Sequence, residues 1–251
     1  FSTILFRKGS KQTMEKIWLK SYQPGAPALV DTNEFSSIVD LLETSFQKFS
    51  DKPAFTNMGK TFTYAQIEEY SRKFACFLQN DLKLQRGDRV AIMMPNLLQY
   101  PIAMFGVLRA GMVAVNVNPL YTARELEHQL TDSGAKAIVI LANFAHTLQA
   151  CLHKTEVRHV VVTEIGDMLG FPKSLIVNTV VKHVKKMVPA WDIPGAIRFG
   201  NALSSGAQTS LSKPALNHND IAFLQYTGGT TGVAKGAMLT HGNIVSNMIQ
   251  A

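Results

Sequence analysis

Cysteine is nearly absent. Cys76 and Cys151 lie far apart, and neither sits in a CxxC pair or a Cys/His cluster. A disulfide framework and a zinc site are therefore excluded as organising features, and a reducing cytoplasm is the expected compartment. Long apolar runs are missing as well. A membrane span needs about 18 unbroken apolar residues, and the best stretch, residues 90–117, is broken by Pro95, Asn96, Pro101 and Arg109. Glycine and proline, 17 and 10 of 251 residues, are too few for a disordered or collagen-like chain. Acidic residues are in deficit, 18 against 25 basic ones, which by itself could suggest a nucleic-acid partner. The distribution argues otherwise, because Arg7, Lys8 and Lys11 all precede Met14. No nucleic acid is expected. Residues 1–13 lack the apolar region and small-residue cleavage site of a secretory signal. They read as a leader or upstream extension without fixed structure, followed by one large folded region over 14–251.

What is present is an alternation of elements. Asn33 is the expected cap of a helix over 34–49, where Ile38, Leu41, Leu42 and Phe49 recur at helical spacing. Two short strands, 54–58 and 61–64, flank the Gly-bearing turn Asn57-Met58-Gly59-Lys60 and predict a hairpin. A helix to about residue 79 follows, then the turn Arg86-Gly87-Asp88, which reads as a plain turn rather than an adhesion motif. Strands are expected at 89–94, 113–117, 137–141 and 160–163, with helices at 97–109, 122–133 and 144–153 between them. This βαβ series implies an α/β fold with a mostly parallel sheet covered by helices. Thr122 and Glu125 have capping-box spacing. His128 and Asp132, four apart on the same helix, read as a solvent-facing pair rather than catalytic partners.

Residues 173–188 mix branched apolar residues with cations. At about 100° per residue, Ile176, Val177, Val180, Val181, Val184, Met187 and Val188 share one arc, and Lys182, Lys185 and Lys186 oppose it. Such a helix suits an anionic membrane surface; it equally suits a core-packing surface helix. Trp191, Ile193, Ile197 and Phe199 fit either interfacial contacts or buried loop anchors. Residues 201–219, rich in small and polar side chains without periodicity, read as a surface linker.

The chemistry-bearing segment follows a short apolar strand at 220–226. Thr227-Gly228-Gly229-Thr230-Thr231-Gly232-Val233-Ala234-Lys235-Gly236 sets three glycines and three threonines before one lysine, and a strand-like piece follows at 237–239. Glycines let backbone N–H groups turn around an anion, hydroxyls add donors and lysine adds a cation. The composition is that of a phosphate-cradling loop. It is not a Walker A loop, because Ala234 precedes and Gly236 follows Lys235, and the glycine interval does not fit a Rossmann fingerprint. A bland turn joining two strands is the alternative.

The stretch Tyr226-Thr-Gly-Gly-Thr-Thr-Gly-Val-Ala-Lys-Gly-Ala-Met-Leu-Thr-His241 resembles the AMP-binding signature of the acyl-adenylate-forming superfamily. Upstream segments agree in order: Phe62-Thr-Tyr-Ala-Gln-Ile67, Gly87-Asp-Arg-Val-Ala-Ile92, Phe105-Gly-Val-Leu-Arg-Ala-Gly111 and Asn118-Pro-Leu-Tyr-Thr-Ala-Arg-Glu-Leu126. Within that superfamily the chain looks most like bacterial long-chain fatty acid CoA ligases. Ala234 departs from the family pattern, in which proline is usual before the loop lysine; the expected effect is a looser loop.

The resemblance implies that ATP, Mg2+ and coenzyme A serve a two-step ligation of a fatty acid through acyl-AMP. Tyr226 through Ala237 would bind nucleotide, with Thr230, Thr231 and Lys235 in the catalytic roles. His241 matches a position near the acyl pocket, although a helix N-terminal histidine would look the same. Lys182, Lys185 and Lys186 would face the inner membrane, giving a peripheral enzyme on its cytoplasmic side. No metal ligand is expected within the chain. Complete relatives are roughly twice as long, so the expectation is an incomplete N-terminal domain, inactive alone. Other carboxylate activators, such as coumarate, acetate or amino-acid ligases, remain open. So does a non-catalytic membrane-surface module with a vestigial loop.

Overall fold

The computed structural model describes residues 15–25, 28, 31–227 and 234–250. Contacts divide the chain into residues 1–31 and 32–251. In the first unit Ile17–Ser21 forms a 3-10 turn with no buried residue, and Lys20 pairs with Glu15 at 3.4 Å.

The second unit opens with a 3-10 turn at Thr32–Glu34, followed by α1 (Ile38–Lys48). Its cap is Ser37 rather than Asn33: the Ser37 hydroxyl accepts the Asp40 N–H, and the Asp40 carboxylate accepts the Ser36 N–H. The hairpin β1 (Pro53–Asn57) and β2 (Lys60–Thr63) forms as expected, with Met58 and Gly59 both at positive φ in its two-residue turn. A full capping box of Thr63 and Gln66 then starts α2 (Tyr64–Asn80).

Next come β3 (Arg89–Met93), α3 (Gln99–Arg109), β4 (Val113–Asn116), α4 (Ala123–Ser133), β5 (Ala137–Leu141), α5 (Ala145–Cys151) and β6 (His159–Thr163). The expected capping box of Thr122 and Glu125 opens α4. Two elements were not expected: β7 (Ile197–Arg198) and α7 (Phe199–Gly206) lie in and beside the presumed linker. Phe199, Ala202, Leu203 and Gly206 are buried. Small residues here permit contact rather than mark a surface, since a Cβ on Gly206 would come within 1.9 Å of the Lys73 carbonyl oxygen on α2.

The main sheet has the order β7-β6-β5-β3-β4-β8-β9, where β8 is Ile221–Thr227 and β9 is Lys235–Thr240. Every neighbouring pair is parallel except β8 with β9. Side-chain alternation splits the core by face. Val90, Ile92, Val139 and Val161 pack with α1, α2, α3 and α7. Ala91, Met93, Ile138, Ile140 and Val162 pack with α4 and α5. The result is the expected α/β sandwich.

The 173–188 segment departs from its simple wheel. It forms α6 (Lys173–Thr179) and a π-helical turn over Val180–Val184, with no buried residue. Val177, Val180, Val181 and Val188 are half-buried, whereas Leu175, Ile176, Val184 and Met187 are exposed. Asn178 consumes the inward face instead, accepting from the Gly166 N–H and donating to Asp167. Ile193 and Phe199 are buried anchors, and Trp191 and Ile197 are half-buried. No described helix is long and apolar enough to cross a membrane.

Candidate functional site

Ligands of open parallel sheets sit beyond the carboxyl ends of the strands, and the glycine-threonine segment leaves β8 at that end. There the side chains of adjacent strands are locked together. Asn116 of β4 and Gln225 of β8 are register partners, and the Asn116 amide donates to Gln225 at 3.1 Å. The Tyr100 hydroxyl donates to Asn116 Oδ1 at 2.9 Å, and the Gln129 amide donates to the Asn116 carbonyl at 2.8 Å. Together these bonds bring α3 and α4 onto one strand end.

Of the sequence-predicted loop residues, Tyr226, Thr227, Ala234, Lys235, Gly236 and Ala237 are described. Gly228, Gly229, Thr230, Thr231, Gly232 and Val233 lie outside the described residues. Thr227 and Lys235 form the last register pair between β8 and β9, so the lysine stands directly across from the threonine where the two strands open into the segment. Both are exposed.

Tyr226 is buried, and its hydroxyl donates to Asp132 Oδ2 at 2.5 Å. Burial and the Asp132 carboxylate push this phenol well above its ordinary pKa, so it stays protonated and donates. Its ring covers Gly236, where a Cβ would approach Cε2 and Cζ to 2.9 Å. Glycine after the lysine is thus a packing requirement. His128 Nε2 donates to the Ala234 carbonyl at 3.3 Å. The His128/Asp132 pair is exposed, as expected, and in addition each side chain bonds one stem of the segment. The helical four-residue spacing was visible in the sequence, but its target on distant strands was not.

His241 opens α8 (His241–Gln250) and is 1% exposed. Its Nδ1 accepts the Ile38 N–H of α1 at 3.2 Å, and burial lowers its pKa to about 4. In this structure it joins two helices. Lys182, Lys185 and Lys186 are all exposed, in another part of the chain from the loop stems. Asn116, Gln225 and Tyr100 were missed as candidates, because no local motif marks them. Among the described residues, no group of three or more His, Cys, Asp or Glu side chains is arranged to hold a metal ion.

Residues 42–251 match the family of AMP-binding enzymes. The chain belongs to that family. Among curated members, a long-chain-fatty-acid–CoA ligase of Haemophilus influenzae is 57% identical over 95% of this chain and 42% of its own length. One of Bacillus subtilis is 37% identical over 93% of the chain and 41% of its own length. The chain therefore spans less than half the length of the curated relatives it matches. Its fold matches the crystal structure of a long-chain-fatty-acid-CoA ligase of Archaeoglobus fulgidus with TM-score 0.67 and 25% identity, covering 90% of this chain and 40% of that one. It also matches the fold of an anthranilate CoA ligase solved with anthranoyl-AMP, with TM-score 0.68 and 19% identity, over 85% of this chain and 37% of that one.

Proposed function

We propose that the chain is the N-terminal part of an ATP-dependent long-chain fatty acid CoA ligase. The observation that carries this reading is the placement of Lys235 opposite Thr227 at the carboxyl end of the parallel sheet, in a family member 57% identical to such a ligase. The fatty acid carboxylate attacks the α-phosphate of Mg-ATP, forming the acyl–phosphate bond and releasing pyrophosphate. The thiolate of coenzyme A then attacks the acyl carbonyl and releases AMP. Magnesium arrives with ATP as part of the substrate.

An anion attacking an anion requires charge neutralisation. Lys235 supplies a cation to the phosphate oxygens, and Thr227, Thr230, Thr231 and the loop amides supply donors to the leaving phosphates. His241 joins α8 to α1, and a place beside the acyl chain is part of the proposal.

ATP–pyrophosphate exchange tests the reading, run on the full-length protein with acetate, octanoate, palmitate, oleate and coumarate in turn. Palmitate or oleate should drive exchange, and Lys235→Ala should cut it about 10²- to 10³-fold. Exchange driven best by acetate or coumarate would overturn the fatty acid assignment. The 251 residues alone should release no acyl-dependent AMP; AMP production by them would overturn the view of the chain as part of a larger catalytic unit.

A peripheral site on the cytoplasmic face of the inner membrane is part of this reading. Its support is the surface of the 171–187 segment, where Phe171, Leu175, Ile176, Val184 and Met187 are exposed beside Lys182, Lys185 and Lys186. Flotation with anionic vesicles should weaken when the three lysines become glutamate. Unchanged flotation removes this segment as the contact.

A further inference from the structure

The geometry points to His128 and Asp132 as positioning residues that hold Lys235 in place by gripping both stems of its loop. The inference rests on the reading of Lys235 as a phosphate ligand. The two side chains sit one helical turn apart on the same face of α4, a rise of about 6 Å. Neighbouring strands are about 4.8 Å apart. One helix face can therefore reach both β8 and the residue that leads into β9.

The two neighbours of Lys235 are then both tied to α4, one directly and one through Tyr226 of β8. The preceding residue, Ala234, has its carbonyl bonded by His128 at 3.3 Å. The following residue, Gly236, lies under the Tyr226 ring with no room for a Cβ, and that ring is tethered through its hydroxyl to Asp132 at 2.5 Å. The cross-strand partner, Thr227, directly follows Tyr226. β9 is the terminal strand of the sheet order and pairs only with β8 among the described residues. The α4 pair adds a restraint on this hairpin from outside it. Neither residue needs to touch substrate.

The test uses the full-length protein and two readouts. Asp132→Leu and Tyr226→Phe should each raise the KM for ATP or lower kcat, together about tenfold to a hundredfold in kcat/KM for ATP, as expected for a catalytic group displaced by up to about 1 Å. The KM for fatty acid should stay within about twofold. The double variant should lose no more than the worse single one, because both remove the same bond. Asp132→Asn keeps an acceptor and should recover most of the activity; His128→Gln keeps a donor and should do the same relative to His128→Leu. The second readout is amide hydrogen exchange at residues 235–240, which should quicken in Asp132→Leu.

Additive losses, or equal increases in both KM values, would overturn the inference in favour of a general packing role. If the wild-type protein activates no acid at all, the ligase reading fails by itself. Exchange at 235–240 then decides the clamp alone: faster exchange in Asp132→Leu upholds it, and unchanged exchange overturns it.

Discussion

Acidification from pH ~7.5 to ~4.5 should destabilise the fold through His241, by linkage between protonation and folding. The imidazole is buried between α8 and α1, with Nδ1 accepting the Ile38 N–H at 3.2 Å and its own backbone N–H bonded to the Asp220 carbonyl at 2.9 Å. Burial is the main reason that its pKa falls from 6.5 to about 4; the Asp220 carboxylate opposes the fall, and Arg86 and His218 add to it. The unfolded chain takes up this proton near pH 6.5, whereas the folded chain resists it until about pH 4. Stability is therefore full above pH 6.5 and declines as the pH drops through that window. The slope is about 1.4 kcal/mol per pH unit and the total about 3 kcal/mol.

His241→Asn separates this effect from other acid effects. Its amide oxygen can accept the Ile38 N–H, but the side chain does not titrate. The variant should be less stable than wild type near neutrality, and the gap should close or reverse by about 3 kcal/mol on going to pH 4. Urea unfolding followed by tryptophan fluorescence, at half-unit pH steps, measures it. A gap that stays constant within about 0.5 kcal/mol refutes the reasoning, because wild type and variant would then share an acid sensitivity arising elsewhere.

Arg109 is 3% exposed and holds α3 to α2 and α1 through the Glu68 carboxylate at 2.7 Å, the Glu68 carbonyl at 2.7 Å and Glu43 at 3.6 Å. Arg109→Met should cost about 3 kcal/mol, the low end for breaking a buried pair, since both glutamates keep some access to water; urea midpoints check this. Gly206→Ala must push α7 away from the Lys73 carbonyl and should cost about 3 kcal/mol, seen as a lower urea midpoint at unchanged m-value. Cys76 and Cys151 are buried free thiols, and burial raises both pKa values, that of Cys151 to about 11. Both should resist a thiol reagent in the folded protein and react promptly in urea; fast modification without denaturant would contradict their burial.

Elements whose signal is local were legible in the sequence. The apolar run of β5, the Thr122/Glu125 capping box and the Met58-Gly59 turn each depend on neighbours within a few residues, so periodicity and turn chemistry locate them. The phosphate-loop composition of 227–236 is likewise a property of contiguous residues. What failed were readings whose answer depends on a distant partner. The start of α1 is the exception, a local choice that residue type left open: Asn33 and Ser37 are both good caps by type, and it is the Ser37 hydroxyl that accepts the Asp40 N–H. The small residues of 201–206 looked like a linker until α2 was placed against them. His128 and Asp132 are surface residues as read, but their bonds to Ala234 and Tyr226 became visible only once β8 and β9 lay beside α4.

The amino-acid sequence by itself therefore determined the alternation of strands and helices up to β6 and the chemistry of the loop, because these arise from spacing along the chain. Tertiary structure alone decided what each exposed or buried polar group meets. It turned His241 into a link between helices and the α4 pair into a grip on Lys235. Hydrogen bonds and close packing act over about 3–4 Å in space, and between residues 94 to 203 positions apart no sequence period reports that distance.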